Sequence, residues 1–265
     1  MTFPRTVVST LLASRHFDWD RVLRIAEVGS TAHGISISGP GGDDHDFTVV
    51  RIESFEELVT GSSKKQSVML RTAKEGEKSQ PYDVDLNVYT LRRFAQLALK
   101  GNPSILAAIF SPKQHVDFMT VDFELLAKLV ESKMAGKAFL GYMQQQIDRW
   151  IGIRGQKSVT RPDLVEAYGF DTKYAAHVIR LGVQGREYLD TRRFAMPMEE
   201  HMAKIIRDVR TGEFDEREAL VLARNAETEL LRAYKESELP ERPNDGAVRE
   251  WLYQQYVELV ARPRS

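Results

Sequence analysis

Gly29-Ser30-Thr31-Ala32-His33-Gly34, Asp44-His45-Asp46 and Asp83-Val84-Asp85 form a glycine-serine turn and two aspartate pairs within one strand-rich stretch. The run before the first, residues 22–28 (VLRIAEV), has the length and apolar content of a buried strand that ends at Gly29–Ser30. A Gly-rich stretch, residues 38–42 (SGPGG), leads into a second strand, residues 46–52 (DFTVVRI). Residues two apart on a strand share a face, so Asp44 and Asp46 project together while His45 turns away. Asp83 and Asp85 do the same on a later strand, residues 82–89 (YDVDLNVY). Carboxylates gathered at one sheet edge repel each other unless a cation compensates them. Hard oxygen ligands suit Mg²⁺, and two such ions bridged by shared aspartates form the clamp used for in-line phosphoryl transfer. Gly29–Ser30 supplies a complementary part, because glycine lets backbone N–H groups approach phosphate oxygens and the serine hydroxyl adds a donor. An isolated Asp-x-Asp is ordinarily a solvated loop acid. The Gly-Ser loop before it and the second aspartate pair after it turn it into a candidate site.

Working outward, residues 4–14 fit a short amphipathic helix, and Ser54 fits the cap of a helical turn through Val59. Residues 66–72 (QSVMLRT) alternate as a further strand, joined to residues 82–89 by a polar loop. After Thr90 the period becomes helical: Leu91, Phe94, Leu97 and Ala98 fall on one face, Gly101 ends the run, and Asn102–Pro103 opens the next helix. Residues 114–119 are a last strand, and from Val121 nearly everything is helical in period. The longest irregular stretch, residues 153–170, carries Gly, Pro, Lys and Arg and suits a loop near a ligand. The fold class is therefore α+β. A mixed sheet with flanking helices over residues 1–120 is followed by a helical domain over residues 121–265 that closes a cleft.

In that second half Asp171 caps a helix on which Lys173, His177 and Arg180 fall at i, i+4 and i+7. Three potential cations on one stripe suit phosphates, and Lys157 and Arg161 of the preceding loop can join them. The plainer reading is an exposed or salt-bridged helix face. His33 and His45 read as surface or packing histidines. Phe139, Tyr142 and Trp150 read as core, and Tyr168 as the stacking candidate.

Lys plus Arg (37) nearly cancels Asp plus Glu (38), so no global basic field draws the chain onto nucleic acid, although local clusters remain available. With no cysteine there is no disulfide, thiolate metal site or cysteine nucleophile. The apolar stretch near the N-terminus is too short for a signal sequence, and no run reaches the ~20 residues that span a bilayer. The expectation is a cytoplasmic protein without a membrane partner.

Gly29-Ser30…Gly34…Asp44-x-Asp46 resembles the signature of the DNA polymerase β-like nucleotidyltransferases. Asp85-Leu-Asn-Val-Tyr-Thr-Leu-Arg-Arg-Phe94 with Lys100-Gly-Asn-Pro-Ser104 is similar to a narrower bacterial and phage family of predicted nucleotidyltransferases. So are Lys137-Ala-Phe-Leu-Gly-Tyr142 and Asp171-Thr-Lys-Tyr-Ala-Ala-His-Val-Ile-Arg-Leu181. The resemblance implies transfer of an NMP from an NTP to an acceptor hydroxyl, with release of pyrophosphate. It implies two Mg²⁺ ions, replaceable by Mn²⁺, on Asp44, Asp46 and Asp85, with Asp83 as the alternative third ligand. Gly29, Ser30, Lys173, His177 and Arg180 would then bind the nucleotide. The acceptor (a small molecule, an RNA end or a protein) stays open. A competing expectation is a nucleotide-binding regulator or toxin–antitoxin component without turnover. A metal-dependent phosphohydrolase would need a metal-binding His-Asp pair in another setting than His45–Asp46, which follows a Gly-Ser loop.

Overall fold

The computed structural model describes residues 5–37, 44–61, 66–73, 83–112, 116–119, 121–151 and 161–260. Its centre is a five-stranded sheet in the order β3-β4-β2-β1-β5. The strands are β1 (Val22–Glu27), β2 (His45–Arg51), β3 (Ser67–Arg71), β4 (Val84–Thr90) and β5 (Val116–Met119). Each expected strand forms, with ends moved by at most two residues. β2 and β4 are parallel and the other pairs antiparallel, which makes the sheet mixed. The parallel register sets Asp46 opposite Asp85, so the two acidic segments begin side by side.

Alternation sends the sheet's two faces into two cores. Phe47 and Val49 of β2, Val84, Leu86 and Val88 of β4, and Leu70 of β3 pack with Val8 and Leu12 of α1 (Arg5–Ala13). On the other face, Ala26, Val50 and Ile52 join one large cluster that continues through the helices as far as Trp251. A register shift between Val22 and Arg24 explains why Val22 and Ile25 face α1 while Leu23 and Ala26 face the helices.

Local signals fix the helix ends. Ser54 and Glu57 form a capping box on α2 (Phe55–Thr60). Thr90 caps α3 (Leu91–Ala98), and Asn102 caps α4 (Pro103–Phe110), which has proline in its first turn. Gly101 has a positive φ of 65°, although the α3 cap itself falls earlier, at Leu99. Arg24 reaches from β1 to donate to the Ala108 and Ile109 carbonyls at the end of α4. The remaining helices are α5 (Phe123–Leu129), α6 (Lys133–Trp150), α7 (Pro162–Tyr168), α8 (Thr172–Thr191), α9 (Glu200–Arg210), α10 (Glu216–Glu236) and α11 (Asp245–Val260). α8 packs closely between α6 and α10, and a Cβ on Gly182 would lie 2.7 Å from the Ala226 Cβ and 2.9 Å from the Met143 Cε. No described helix is long and apolar enough to cross a membrane.

Two expectations need correcting. Residues 162–168, read as loop, form α7: Pro162 starts it, and Gly169, at a φ of 82°, ends it. Phe139 and Trp150 are buried as expected, but Tyr142 is 45% exposed and does not belong to the core. The Gly-rich residues 38–42, the polar loop between β3 and β4 over residues 74–82, and Lys157 lie outside the described residues.

Candidate active site

The site lies where β1 ends and β2 and β4 begin. Asp44 precedes β2, Asp46 is its second residue, and Asp85 is its partner on β4. His45 points the other way. Its Nδ1 lies 3.0 Å from Glu27 Oε1, and its ring stacks near Phe47. The Asp46 carboxyl is raised from 3.8 to about 6, first by burial and then by the neighbouring charges of Asp44 and Asp85. Burial likewise raises Asp85, against the pull of Arg71, whose Nε donates to Asp85 Oδ1 at 3.3 Å. Asp44 Oδ1 stands 3.8 Å from Lys173 Nζ. Asp83 accepts from the Thr72 hydroxyl at 2.6 Å, and its charge acts on Asp85. Two of the three central carboxylates thus lean on a cation of their own. Among the described residues no three acidic or imidazole side chains already stand together as a cage for an ion.

The Gly-Ser loop runs directly beside Asp46. Val28 N–H donates to the Asp46 carbonyl at 2.9 Å, and a Cβ on Gly29 would lie 2.6 Å from Asp46 Oδ2. Only glycine lets the loop approach that closely. Beyond Ser30 the chain folds into tight turns: His33 N–H donates to the Gly29 carbonyl and Ile35 N–H to the Ser30 carbonyl.

Helices α8 and α9 hold this loop. His33 is buried, and its Nε2 accepts from the Arg180 guanidinium, while Nδ1 faces the Gln184 side chain at 3.0 Å. Arg180 also donates to Gln184 Oε1 at 3.1 Å and to His177 Nδ1 at 2.9 Å. Burial and the Arg180 charge hold both imidazoles neutral, lowering His177 to about 3 and His33 well below 6.5. Arg180 itself is lowered to about 10 by burial, against the support of the Asp46 charge. From α9, Arg207 donates to the Gly34 carbonyl at 2.7 Å and the Arg210 guanidinium donates to the Ile35 carbonyl. Met198 N–H donates to the His33 carbonyl at 3.1 Å.

The structure thus brings Gly29, Ser30, Asp44, Asp46, Asp85, Lys173 and Arg180 to one region. It alters the expected stripe of three cations, because the neutral His177 is an acceptor for Arg180 and leaves Lys173 and Arg180 as its charges. Arg161 is engaged elsewhere, donating to the α8 cap Asp171 at 3.1 Å. Tyr168 lies against Gly212, where an added Cβ would fall 2.2 Å from its ring. Sequence reasoning missed His33, Gln184, Arg207 and Arg210 as supports of the loop. For His33 a signal existed in its place inside the Gly-Ser motif; for the others none did.

A sequence model of RlaP, described as the RNA repair pathway DNA polymerase beta family, matches residues 7–243. Among solved structures, the chain is similar to a nucleotidyltransferase-like protein from Exiguobacterium sibiricum 255-15. The two are 12% identical with a TM-score of 0.31, over 98% of this chain and 79% of that one. No curated protein matches the chain.

Proposed function

Because the chain belongs to the RNA repair pathway DNA polymerase beta family, a polymerase β-like nucleotidyltransferase family, we propose that it transfers an NMP from an NTP to an acceptor hydroxyl. The family's description makes an RNA end the acceptor we favour. In the reaction the acceptor oxygen attacks the α-phosphorus, the bond to the bridging oxygen breaks, and pyrophosphate leaves with its electron pair. The hydroxyl proton passes to solvent or a site carboxylate. Catalysis of this kind is mostly positioning and charge compensation.

The observation that carries the reading is that Asp46 stands opposite Asp85 in the parallel register and against Gly29, and that the charges of Asp44 and Asp85 raise its carboxyl. An all-oxygen, anionic donor set of this kind fits Mg²⁺ or Mn²⁺. Asp44, Asp46 and Asp85 would hold these ions. Binding would draw Asp44 from Lys173 and Asp85 from Arg71. The ions, when bound, neutralise charge on the phosphates and on the acceptor oxygen. Gly29 and Ser30 receive the triphosphate through the loop's backbone and the serine hydroxyl. Lys173, released from Asp44, and Arg180, with His177 as its neutral support, offset the growing charge on pyrophosphate. Residues 1–120 carry the carboxylates, and residues 121–265 close over the nucleotide.

The test is incubation of the chain with each α-labelled NTP, Mg²⁺ and a single-stranded oligoribonucleotide bearing a free 3′-hydroxyl. Label is expected on the RNA in the wild type and not in Asp44→Asn or Asp46→Asn. Nucleotide binding with no label on RNA, or on any component of a cell extract, would favour a regulator and end the transferase reading.

A further inference from the structure

Beyond Asp85, β4 and β3 present a second surface. The burial pattern of β4 leaves Asn87 and Tyr89 half-exposed, while their neighbours Leu86 and Val88 are buried against α1. Antiparallel partners share a face, so Ser67, Met69 and Arg71 lie beside Tyr89, Asn87 and Asp85 in turn. All three are exposed, Met69 by 54%. The carboxylate therefore stands at the head of a polar and aromatic strip, on the same sheet face that the helices cover at β1 and β2.

The far end of the strip is lined as well. The Tyr89 ring meets Phe94 of α3 edge-on with 6.4 Å between centroids, its phenol is raised by burial, and the charges of Arg93 and Tyr142 act on it. Tyr142 is 45% exposed and its hydroxyl accepts from Asn102 Nδ2 at 3.1 Å. Arg93 makes no ion pair, and the Asn87 amide no hydrogen bond, among the described residues. A half-exposed sheet face of this composition suits neither a dry core nor an inert surface.

We propose that this strip, from Asp85 through Asn87, Met69 and Tyr89 to Arg93 and Tyr142, is the acceptor track, and that its ligand is the 3′ end of a single-stranded RNA. The assignment rests on the transferase reading, in which Asp85 helps to hold the metal ions. Tyrosine rings and an exposed methionine receive unstacked bases, an unpaired arginine receives a phosphate, and an asparagine amide can bond a base edge or a 2′-hydroxyl. From Asp85 to Tyr89 the strand rises roughly 13 Å at about 3.3 Å per residue, which suits roughly two to four terminal nucleotides. Charge supports the choice of ligand: the strip's cations, Arg71 and Arg93, face a polyanion, and the track is continuous with the carboxylates that would act on its terminal hydroxyl.

The experiment is fluorescence anisotropy of a 5′-fluorescein oligouridylate on the full chain, with labelled-NTP binding in Mn²⁺ measured on the same preparations. The Met69→Glu/Arg93→Glu double variant is expected to weaken oligonucleotide binding at least about 10-fold, the loss of one stacked base and one phosphate contact. Val221→Glu, on the distant α10, should bind as the wild type does. The track is overturned if the wild type does not bind the oligonucleotide, if the double variant binds within twofold of it, or if Val221→Glu weakens binding equally. A dimer that the double variant dissolves would assign the face to a second copy instead. Should the double variant unfold, Arg93→Gln alone is expected to weaken binding about threefold, and equal affinity overturns the track. RNA binding that responds to these variants in a chain that takes no NTP would leave the track standing and sink the transferase reading; NTP binding with RNA affinity indifferent to them would do the reverse.

Discussion

The two flanks of the aspartate cluster are built differently. On the β1 side, the loop from Gly29 to Ile35 is held by the buried His33, Gln184 and Arg210, together with the half-buried Arg180 and Arg207. On the β3 side, Asp85 meets a partly exposed arginine, and the strand face beyond it is half open. A buried polar network is costly to leave incomplete, whereas an exposed ion pair contributes little. The flank that would grip the phosphates of every NTP is thus fixed in advance. The flank that would face the acceptor is half open.

The largest expected effect lies between the two flanks. Asp44→Asn and Asp46→Asn should each lower transfer at least about 10³-fold, as loss of a principal charge-compensating group does, with circular dichroism unchanged; wild-type rates would remove the cluster from catalysis. Gly29→Ala should come next. Its Cβ would intrude to 2.6 Å from Asp46 Oδ2, so the loop or the carboxylate must move. About a 10²-fold loss of kcat/KM is expected, since misplacement by about 1 Å has consequences of that size.

Urea unfolding of His33→Ala and Arg71→Gln should separate the two flanks. The first takes from the Arg180 guanidinium the acceptor it meets in the buried His33 ring and should cost about 2–3 kcal/mol. The second removes an interaction worth less than about 1 kcal/mol. Equal costs would mean the flanks do not differ as described.

The pH dependence of stability follows from Asp46. Its folded carboxyl is raised to about 6 from 3.8, so between those values the native state holds a proton that the unfolded chain has released. Stability of the metal-free chain should fall as pH rises from about 4 through about 6, by on the order of 2–3 kcal/mol, and change little above that. Asp46→Asn should flatten the curve in that window. The smallest effect is expected at Asp83, which is tied to Thr72: Asp83→Ala should keep activity within about threefold, while Asp85→Ala should lose about 10²-fold in the same assay.

How far the sequence could be read follows the same division. The strands, the Asp44–Asp46 pairing and the Gly-Ser loop were legible because each depends on local spacing. The period of two fixes which aspartates share a face, and Gly29 marks a close approach. Even so, that period does not choose between Asp83 and Asp85, which lie on the same face; the parallel register sets Asp85 opposite Asp46, and register is a tertiary fact. Arg207 and Arg210 reach the loop from α9 with no sequence mark, because backbone carbonyls are their partners. His177 carries the marks of a phosphate-binding cation, yet burial and then the adjacent Arg180 charge make it neutral. α7 was hidden by polar composition although its Pro162 start and Gly169 stop were in view. Tyr142 reads as core beside Phe139 and Trp150, and only the packing of α6 leaves it open.

If the three aspartates jointly hold divalent cations beside the nucleotide loop, Mn²⁺ titration followed by electron paramagnetic resonance, with NTP present, will count the ions. The wild type should take up Mn²⁺ at two sites per chain, Asp85→Asn at one, and Asp46→Asn at neither. Uptake by Asp46→Asn equal to that of the wild type would contradict it.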